Sequence, residues 1–352
     1  MDDARARALL NAAPYLHMAT TTADGVPVLR VVHTVSLQHD GAIYFHASPA
    51  GEKMECVGRA AVMSTSRAIA TVPSYFVDAE RACPATTYYE SVQAHGTLVA
   101  VENAQEKAAV LAALMAKLQA EGGHVPIDPT RADYAELYEK AVRGIAVVRL
   151  DVTRVDGKHK VGQNKTPDER VRILEGFWKR GATGDVEAIE AVVAGNAGTP
   201  LPAFLRVETK RGVLRVRVAF DAALCDAAAR LLEGAYWLEG FACADVARAF
   251  ATSRACVAIE NDAGEVVAAA RAGGDARAVT LCDVMVRPDW RDHGLGQRVV
   301  EATLDHPGAR DVAMVRLRTR DAHGLYARLG FRDAQEAWNK PWTASEMVRS
   351  TR

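Results

Sequence analysis

Little in this chain announces a class at once. Its 352 residues hold six cysteines (Cys56, Cys83, Cys225, Cys243, Cys256 and Cys282), scattered and without a C-x-x-C pair. That pattern offers neither a zinc site nor a disulfide framework, predicts no metal, and suits a reducing cytoplasm. Charge of one sign is also lacking: 43 basic against 44 acidic side chains leave a formal net charge of −1. No overall pull toward nucleic acid or an anionic membrane follows. No apolar run nears the ~20 residues that a membrane-spanning helix needs. The opening MDDARARALLNAAPYL has acids where an export signal has bases, so no export is expected. Internal repeats are missing too. What is present is 49% hydrophobic and 25% charged, as in soluble globular proteins. At roughly 150 residues per domain, the length suggests about two domains.

The first hundred residues read as strands joined by tight turns. Asp24-Gly25 and Asp40-Gly41 are each flanked by β-branched runs, and glycine supplies the positive φ that such hairpins need. Further strand patterns lie in ESVQAHGTLVAV and RGIAVVRLDVTRV. Between them NAQEKAAVLAALMAKLQAEGG predicts a helix with Asn103 as cap, Glu106 at the capping-box position and Gly122 as its end. Val110, Leu111, Leu114, Met115 and Leu118 form its apolar face. A barrel-like β domain with a few helices is expected. Next, KTPDERVRILEGFWKRG predicts a helix capped by Thr166, started by Pro167, closed reciprocally by Glu169 and stopped at Gly181. DVEAIEAVVAGN adds another. A Gly- and Pro-rich stretch near residues 195–205 marks a boundary, and a mixed α/β pattern follows it. The expected organisation is a β-barrel domain over residues 1–160, a helical extension and linker over 161–205, and an α/β domain over 206–352.

The hexamer RDHGLG, Arg291 to Gly296, stands between the strand VTLCDVMV and the amphipathic helix QRVVEATL. A helix N-terminus offers unpaired N–H groups and about half a positive charge, which suits an anion. Gly294 and Gly296 would let a pyrophosphate approach the main chain, and Arg291 and His293 would add contacts. By itself the hexamer is equally a tight strand–helix connection. In context, LCDVMVRPDWRDHGLGQRVVEATL with TRDAHGLYARLGF resembles the GNAT family of acetyl-CoA-dependent N-acetyltransferases. The family's Arg/Gln-x-x-Gly-x-Gly/Ala motif is matched by Arg291, Gly294 and Gly296, and its later Tyr-x-x-x-Gly-Phe by Tyr326, Gly330 and Phe331. A Rossmann-type site fits less well, since no repeated βαβ units precede the hexamer.

That resemblance implies a mixed sheet with a splayed central strand. The main chain at Val284, Met285 and Val286 would bind the pantetheine arm of acetyl-CoA, and the turn with Leu295 its diphosphate. It implies direct attack by an amine, with Tyr326 as general acid and Asp283 as candidate base; the expected acceptor is a small-molecule amine, a protein amine being no better supported. Residue-type reasoning leaves alternatives: Tyr326 as core filling, and Asp283 as an outward-facing polar residue. Where many members carry asparagine seven residues before the tyrosine, this chain has Thr319. Tyr236 and Trp237, near the expected acceptor cleft, are either a cation–π site or core packing.

The run LRVVHTVSLQHDGAIYFHASPAGEKMECVGR, with YYESVQAHG and QAEGGH, resembles the pyridoxamine 5′-phosphate oxidase-like, FMN-binding split barrels, closest to the nitroimidazole-resistance branch. GKHKVGQNKTPDERVRIL is similar to a segment of split-barrel transcriptional repressors. The whole is then a two-domain α+β protein: a split β-barrel with helices, then a GNAT domain. The resemblance implies FMN held through Arg30, Lys53, His46, Ala47 and Ser91, and a homodimer through the barrel. Lys53 lies beside a helix start led by Gly51. Glu52 replaces an expected basic residue, which predicts weaker FMN binding or another ligand such as deazaflavin or haem. His33, His46 and His95 suggest haem, or simply hydrogen-bonded barrel histidines. Two functions stand side by side. In one the protein is bifunctional, an acyltransferase joined to a flavin-dependent reductase. In the other the barrel is a non-catalytic sensor or dimerisation module. The helix from Pro167 balances its bases with Asp168, Glu169 and Glu175, so no nucleic-acid or membrane partner is expected.

Overall fold

The computed structural model describes residues 1–37 and 41–333. It divides into two compact units. One comprises Met1–Val72 with Ala85–Gln163, and the other Pro73–Pro84 with the described residues from Asn164 on.

The first unit runs α1 (Asp3–Ala12), β1 (Leu16–Thr21), β2 (Pro27–Val32), β3 (Ile43–Ala47), α2 (Glu52–Glu55), β4 (Ala60–Val72), β5 (Thr86–Ala100), α3 (Ala104–Leu118), α4 (Lys140–Gly144) and β6 (Ala146–Lys160). Its six strands form one curled antiparallel sheet, ordered β2-β1-β4-β5-β6-β3. Apolar and polar residues alternate along β1, so Leu16 and Met18 point inward to meet Phe45, Met63, Val92, Leu98 and Leu150 in a buried core. The ladder between β5 and β6 slips at His95/Gly96. A Cβ on Gly96 would overlap the Asp151 carbonyl, so only glycine lets the two strands close at this bulge.

Gly25 takes φ +84° in the β1–β2 hairpin, as expected. Asp40 lies outside the described residues, and the strands around it do not form a ladder. β2 and β3 sit at opposite edges of the sheet, and among the described residues the bridge Val35↔Tyr44 joins the segment after β2 to β3. Asn103 caps α3 through Glu106 N, but the helix ends at Leu118, short of Gly122. Of its expected apolar face, Val110, Leu111 and Leu114 are buried and Met115 packs against the same cluster, whereas Leu118, at the last turn, is exposed. The Glu106 carboxylate accepts from Tyr44 Oη (2.9 Å) and Arg149 (3.2 Å) and does not close a capping box.

The second unit contains α5 (Pro167–Arg180), α6 (Asp185–Gly195), β7 (Arg206–Thr209), β8 (Gly212–Arg217), α7 (Ala222–Leu231), α8 (Cys243–Ala251), β9 (Ala255–Glu260), β10 (Val266–Gly274), β11 (Ala278–Val286), α9 (Leu295–Asp305), β12 (Met314–Arg316) and α10 (His323–Arg328). The reciprocal Thr166–Glu169 box and the left-handed Gly181 stop delimit α5 as expected. The sheet order is β12-β11-β10-β9-β8-β7, antiparallel except for the parallel pair β11–β12. Buried throughout, β9 is its centre. α7 and α8 pack against Cys256, Ala258 and Ala269 of the sheet, and α9 lies against β9, β10 and β11. The helix expected to run through Tyr236 and Trp237 stops at Leu231, and these residues form a separate 3₁₀ turn. The last strand expected after α10 lies outside the described residues. The architecture is two-domain α+β, a split barrel followed by a GNAT-type sheet.

Candidate functional site

β11 decides the geometry of the second unit. On one side it pairs with β10 as far as Val286. On the other, its parallel pairing with β12 ends at Thr280↔Arg316. From Leu281 to Val286 that edge meets no strand among the described residues, so there the main chain of Val284, Met285 and Val286 has no ladder partner on that side. A bulge accompanies the separation. Ala269 pairs with Met285 and Arg271 with Cys282, leaving Asp283 and Val284 opposite Ala270 alone. Asp283 takes φ +55°, costly for a residue with a Cβ.

The start of α9 follows this strand. Gly294 is its N-cap at φ +76°, and no side chain caps the helix. Its first N–H groups are therefore available to an anion. Asp292 is also left-handed, at φ +63°. Nothing lies within 4 Å of a Cβ built on Gly294, so its backbone angle and the open space above it, not crowding, call for glycine. At Gly296 a Cβ would meet only Val286 and Leu325, at 3.7 and 3.8 Å. The protein would thus accept alanine there, in keeping with the Gly/Ala choice in the motif. Leu295 is buried and anchors the turn. His293 Nδ1–H donates to the Arg291 carbonyl (2.6 Å), and the exposed Arg291 side chain has no ion pair among the described residues.

Tyr326 projects from the short α10, buried, with its ring edge-on to Phe331 at 5.8 Å. Burial pushes its pKa up, and neighbouring Tyr236 and Asp321 add to the shift, so the phenol keeps its proton at working pH. Thr319 is committed locally: its hydroxyl accepts from Ala322 N (3.0 Å) at the approach to α10.

Asp283 differs from the expectation of a free base. Its carboxylate is buried, Oδ2 accepts from Arg271 Nε, and Oδ1 accepts from the Trp237 indole at 3.1 Å. Arg271 also reaches Ser253 Oγ (3.3 Å). Both oxygens of this carboxylate are therefore engaged, one by a guanidinium and the other by an indole. The turn that carries Trp237 leaves Tyr236 and Trp237 half-exposed, so they are not core packing. Arg271 was missed in the sequence, although a lone arginine in the apolar AAARAGG of β10 was a usable signal.

In the first unit the structure gathers part of the expected set. Arg30, on edge strand β2, is ion-paired with Glu52, which opens α2 next to Lys53. α2 is a single turn, and Gly51 before it is extended (φ −91°). The pKa of His46 is lowered first by burial and further by its electrostatic neighbours Lys53 and His33. Its Nδ1 is buried without a hydrogen-bond partner among the described residues. Ala47 follows, buried, at the end of β3. Ser91 stands apart. It pairs with Lys158 near the far end of β6, whereas His46 pairs with Val147 near the start. His33 lies just past β2 and donates to the Pro14 carbonyl (3.1 Å), while His95 pairs with Asp156 (3.1 Å). These two behave as hydrogen-bonded barrel histidines.

Residues 2–159 match the family model of pyridoxamine 5′-phosphate oxidase, and residues 251–333 match that of the GNAT acetyltransferase domain. Among solved structures, a protein belonging to the GNAT family from Xanthomonas campestris is 30% identical over 37% of this chain and 94% of its own, with a TM-score of 0.30. The FAD and haem binding protein of Mycobacterium smegmatis is 18% identical over 57% of this chain and 92% of its own (TM-score 0.36). The flavocytochrome Anf3 of Azotobacter vinelandii is 21% identical over 46% of this chain and 68% of its own (TM-score 0.37). No curated protein matches the chain.

Proposed function

Because the chain carries a pyridoxamine 5′-phosphate oxidase-like domain and, after it, a GNAT acetyltransferase domain, we propose that it transfers an acetyl group from acetyl-CoA to a small-molecule amine. The observation that carries this is the unpaired edge of β11 from Leu281 to Val286, followed directly by the uncapped start of α9. Main-chain groups of Val284, Met285 and Val286 would hold the pantetheine arm, and the N–H groups after Gly294 the diphosphate. The amine nitrogen attacks the thioester carbon, an N–C bond forms and the C–S bond breaks. One N–H proton leaves to water, and the sulfur takes a proton from Tyr326, which is then reprotonated from solvent. Asp283 has no proton-transfer part in this scheme. Calorimetry tests the site: wild type should bind acetyl-CoA, and Gly294→Asp should abolish binding by placing a carboxylate at the diphosphate. Unchanged affinity would end the proposal.

For the barrel, the orphaned Nδ1 of His46 beside Lys53 fits a phosphate ester such as that of FMN. Glu52 offsets Arg30, leaving less positive charge than two free bases would give. FMN bound there would supply two-electron reduction of a small molecule. Lys53, His46 and Ala47 would hold its phosphate end. Ser91 would serve from another part of the assembly, in keeping with a homodimer; exposed Leu29 and Val31 on β2 support such an interface. The Arg30–Glu52 pair equally favours the module reading, in which the barrel senses a ligand without chemistry. A visible band near ~450 nm after incubation with FMN separates the two. Six free thiols and the absence, among the described residues, of a helix able to cross a membrane support a cytoplasmic site of action.

A further inference from the structure

The segment between α7 and α8 carries Glu233, Gly234, Tyr236, Trp237, Glu239, Gly240 and Phe241. Under it lies a cavity of about 390 Å³, walled by Ala229, Leu232, Val246, Tyr236 and Phe241 among others. The only charged side chains in its lining are Glu233 and Glu239. Both are exposed, and neither makes an ion pair among the described residues. The same segment reaches the proposed reaction centre. The indole of Trp237 is bonded to Asp283 at the bulge of β11, and Tyr236 is close enough to Tyr326 to raise its pKa. The Tyr236 ring already carries a cation on one side, with the Arg320 guanidinium 3.7 Å from its centroid.

We infer that the acceptor is an aliphatic diamine that arrives as a dication: one ammonium lies in this cavity, between Glu233, Glu239 and the aromatic rings, while the other first loses a proton to water and reaches the cleft beside Tyr326 as the free amine that attacks. The inference rests on the acetyl-transfer proposal above and adds the class of acceptor. Carboxylates without basic partners, beside ring faces, favour an alkylammonium over a neutral chain and repel a carboxylate. The Trp237–Asp283 bond fixes the segment to the strand, so the distance between cavity and reaction centre selects the length of the acceptor.

Full-length protein is assayed for release of the CoA thiol from acetyl-CoA with three probes of equal chain length: 1,4-diaminobutane, butylamine and 4-aminobutanoate. The expected order of kcat/KM is diamine, butylamine, aminobutanoate, with about tenfold between the first two. In the double variant Glu233→Gln/Glu239→Gln, folded by circular dichroism, the ratio of diamine to butylamine should fall to near one. If acetyl-CoA binds by calorimetry but aminobutanoate equals or exceeds the diamine, if butylamine does so, or if none of the three is acetylated, the dication is refuted and acetyl-CoA binding stands. A ratio that survives in the double variant also refutes it. If acetyl-CoA itself does not bind, the acetyl-transfer proposal fails, and the inference fails with it.

Discussion

His306 should make the second unit acid-sensitive. It follows α9, buried, with Nε2–H donating to the Val218 carbonyl (3.0 Å) and Nδ1 accepting from Gly308 N (2.9 Å). These two bonds fix one neutral tautomer, and a second ring proton would point at an N–H. Burial lowers its pKa from 6.5 to about 4. Above pH 6.5 the ring is neutral whether the chain is folded or not, and this contribution is complete. As pH falls from 6.5 toward 4, the unfolded chain takes up a proton that the native ring refuses, so stability drops with pH. Below about 4 the effect levels off. The difference in pKa corresponds to roughly 3 kcal/mol at most, a large share of the 5–15 kcal/mol typical of a domain. All five tryptophans lie at position 178 or beyond, and the Trp178 ring stands edge-on to His306 at 5.7 Å. Their fluorescence therefore follows the second unit during urea unfolding at pH 7.5, 6, 5 and 4. His306→Gln can keep both bonds without titrating, and it should flatten the pH dependence over this window. A variant with the same slope as wild type would show that another group carries the acid sensitivity.

Further tests address the sites and the barrel. Tyr326→Phe should lower turnover by about a hundredfold while acetyl-CoA affinity stays within about twofold; an undiminished rate from pH 6 to 10 would remove it as the acid. Lys53→Ala should release FMN from protein loaded with it, seen as loss of the band near ~450 nm, and full retention would place the phosphate elsewhere. Gly96→Ala must push β5 away from Asp151 at the bulge, at roughly 1–3 kcal/mol. The thermal midpoint followed by far-UV circular dichroism should fall by several degrees, and an unmoved midpoint would mean that the strands can part freely there.

Elements fixed by local chemistry were legible in the sequence. Thr166, Pro167, Glu169 and Gly181 delimit α5 because a capping box and a left-handed stop need only residues within the helix and at its edges. The turn at Gly294 was legible for the same reason, since strand, glycine and helix are contiguous. What depended on distant partners was not. Glu106 fits a capping box by spacing, yet Tyr44 and Arg149, brought near by the sheet, take its carboxylate. Asp283 looked available because Trp237 and Arg271 are 46 and 12 residues away in sequence. The barrel set was legible as a pattern of residue types, but the ladder puts Ser91 and His46 near opposite ends of β6. Sheet order is set by which strands pair, and no stretch of one strand encodes its neighbour.

The bulge on β11 makes the width of the cleft a matter of arithmetic more than of side-chain chemistry. Two residues stand opposite one, so the strand after Cys282 is turned by a single surplus position. Removing Asp283 would therefore do more than delete a carboxylate: it would leave Val284 alone opposite Ala270 and abolish the bulge that bends the strand. Insertions and deletions at this place are predicted to be far less forgiving than substitutions, however drastic.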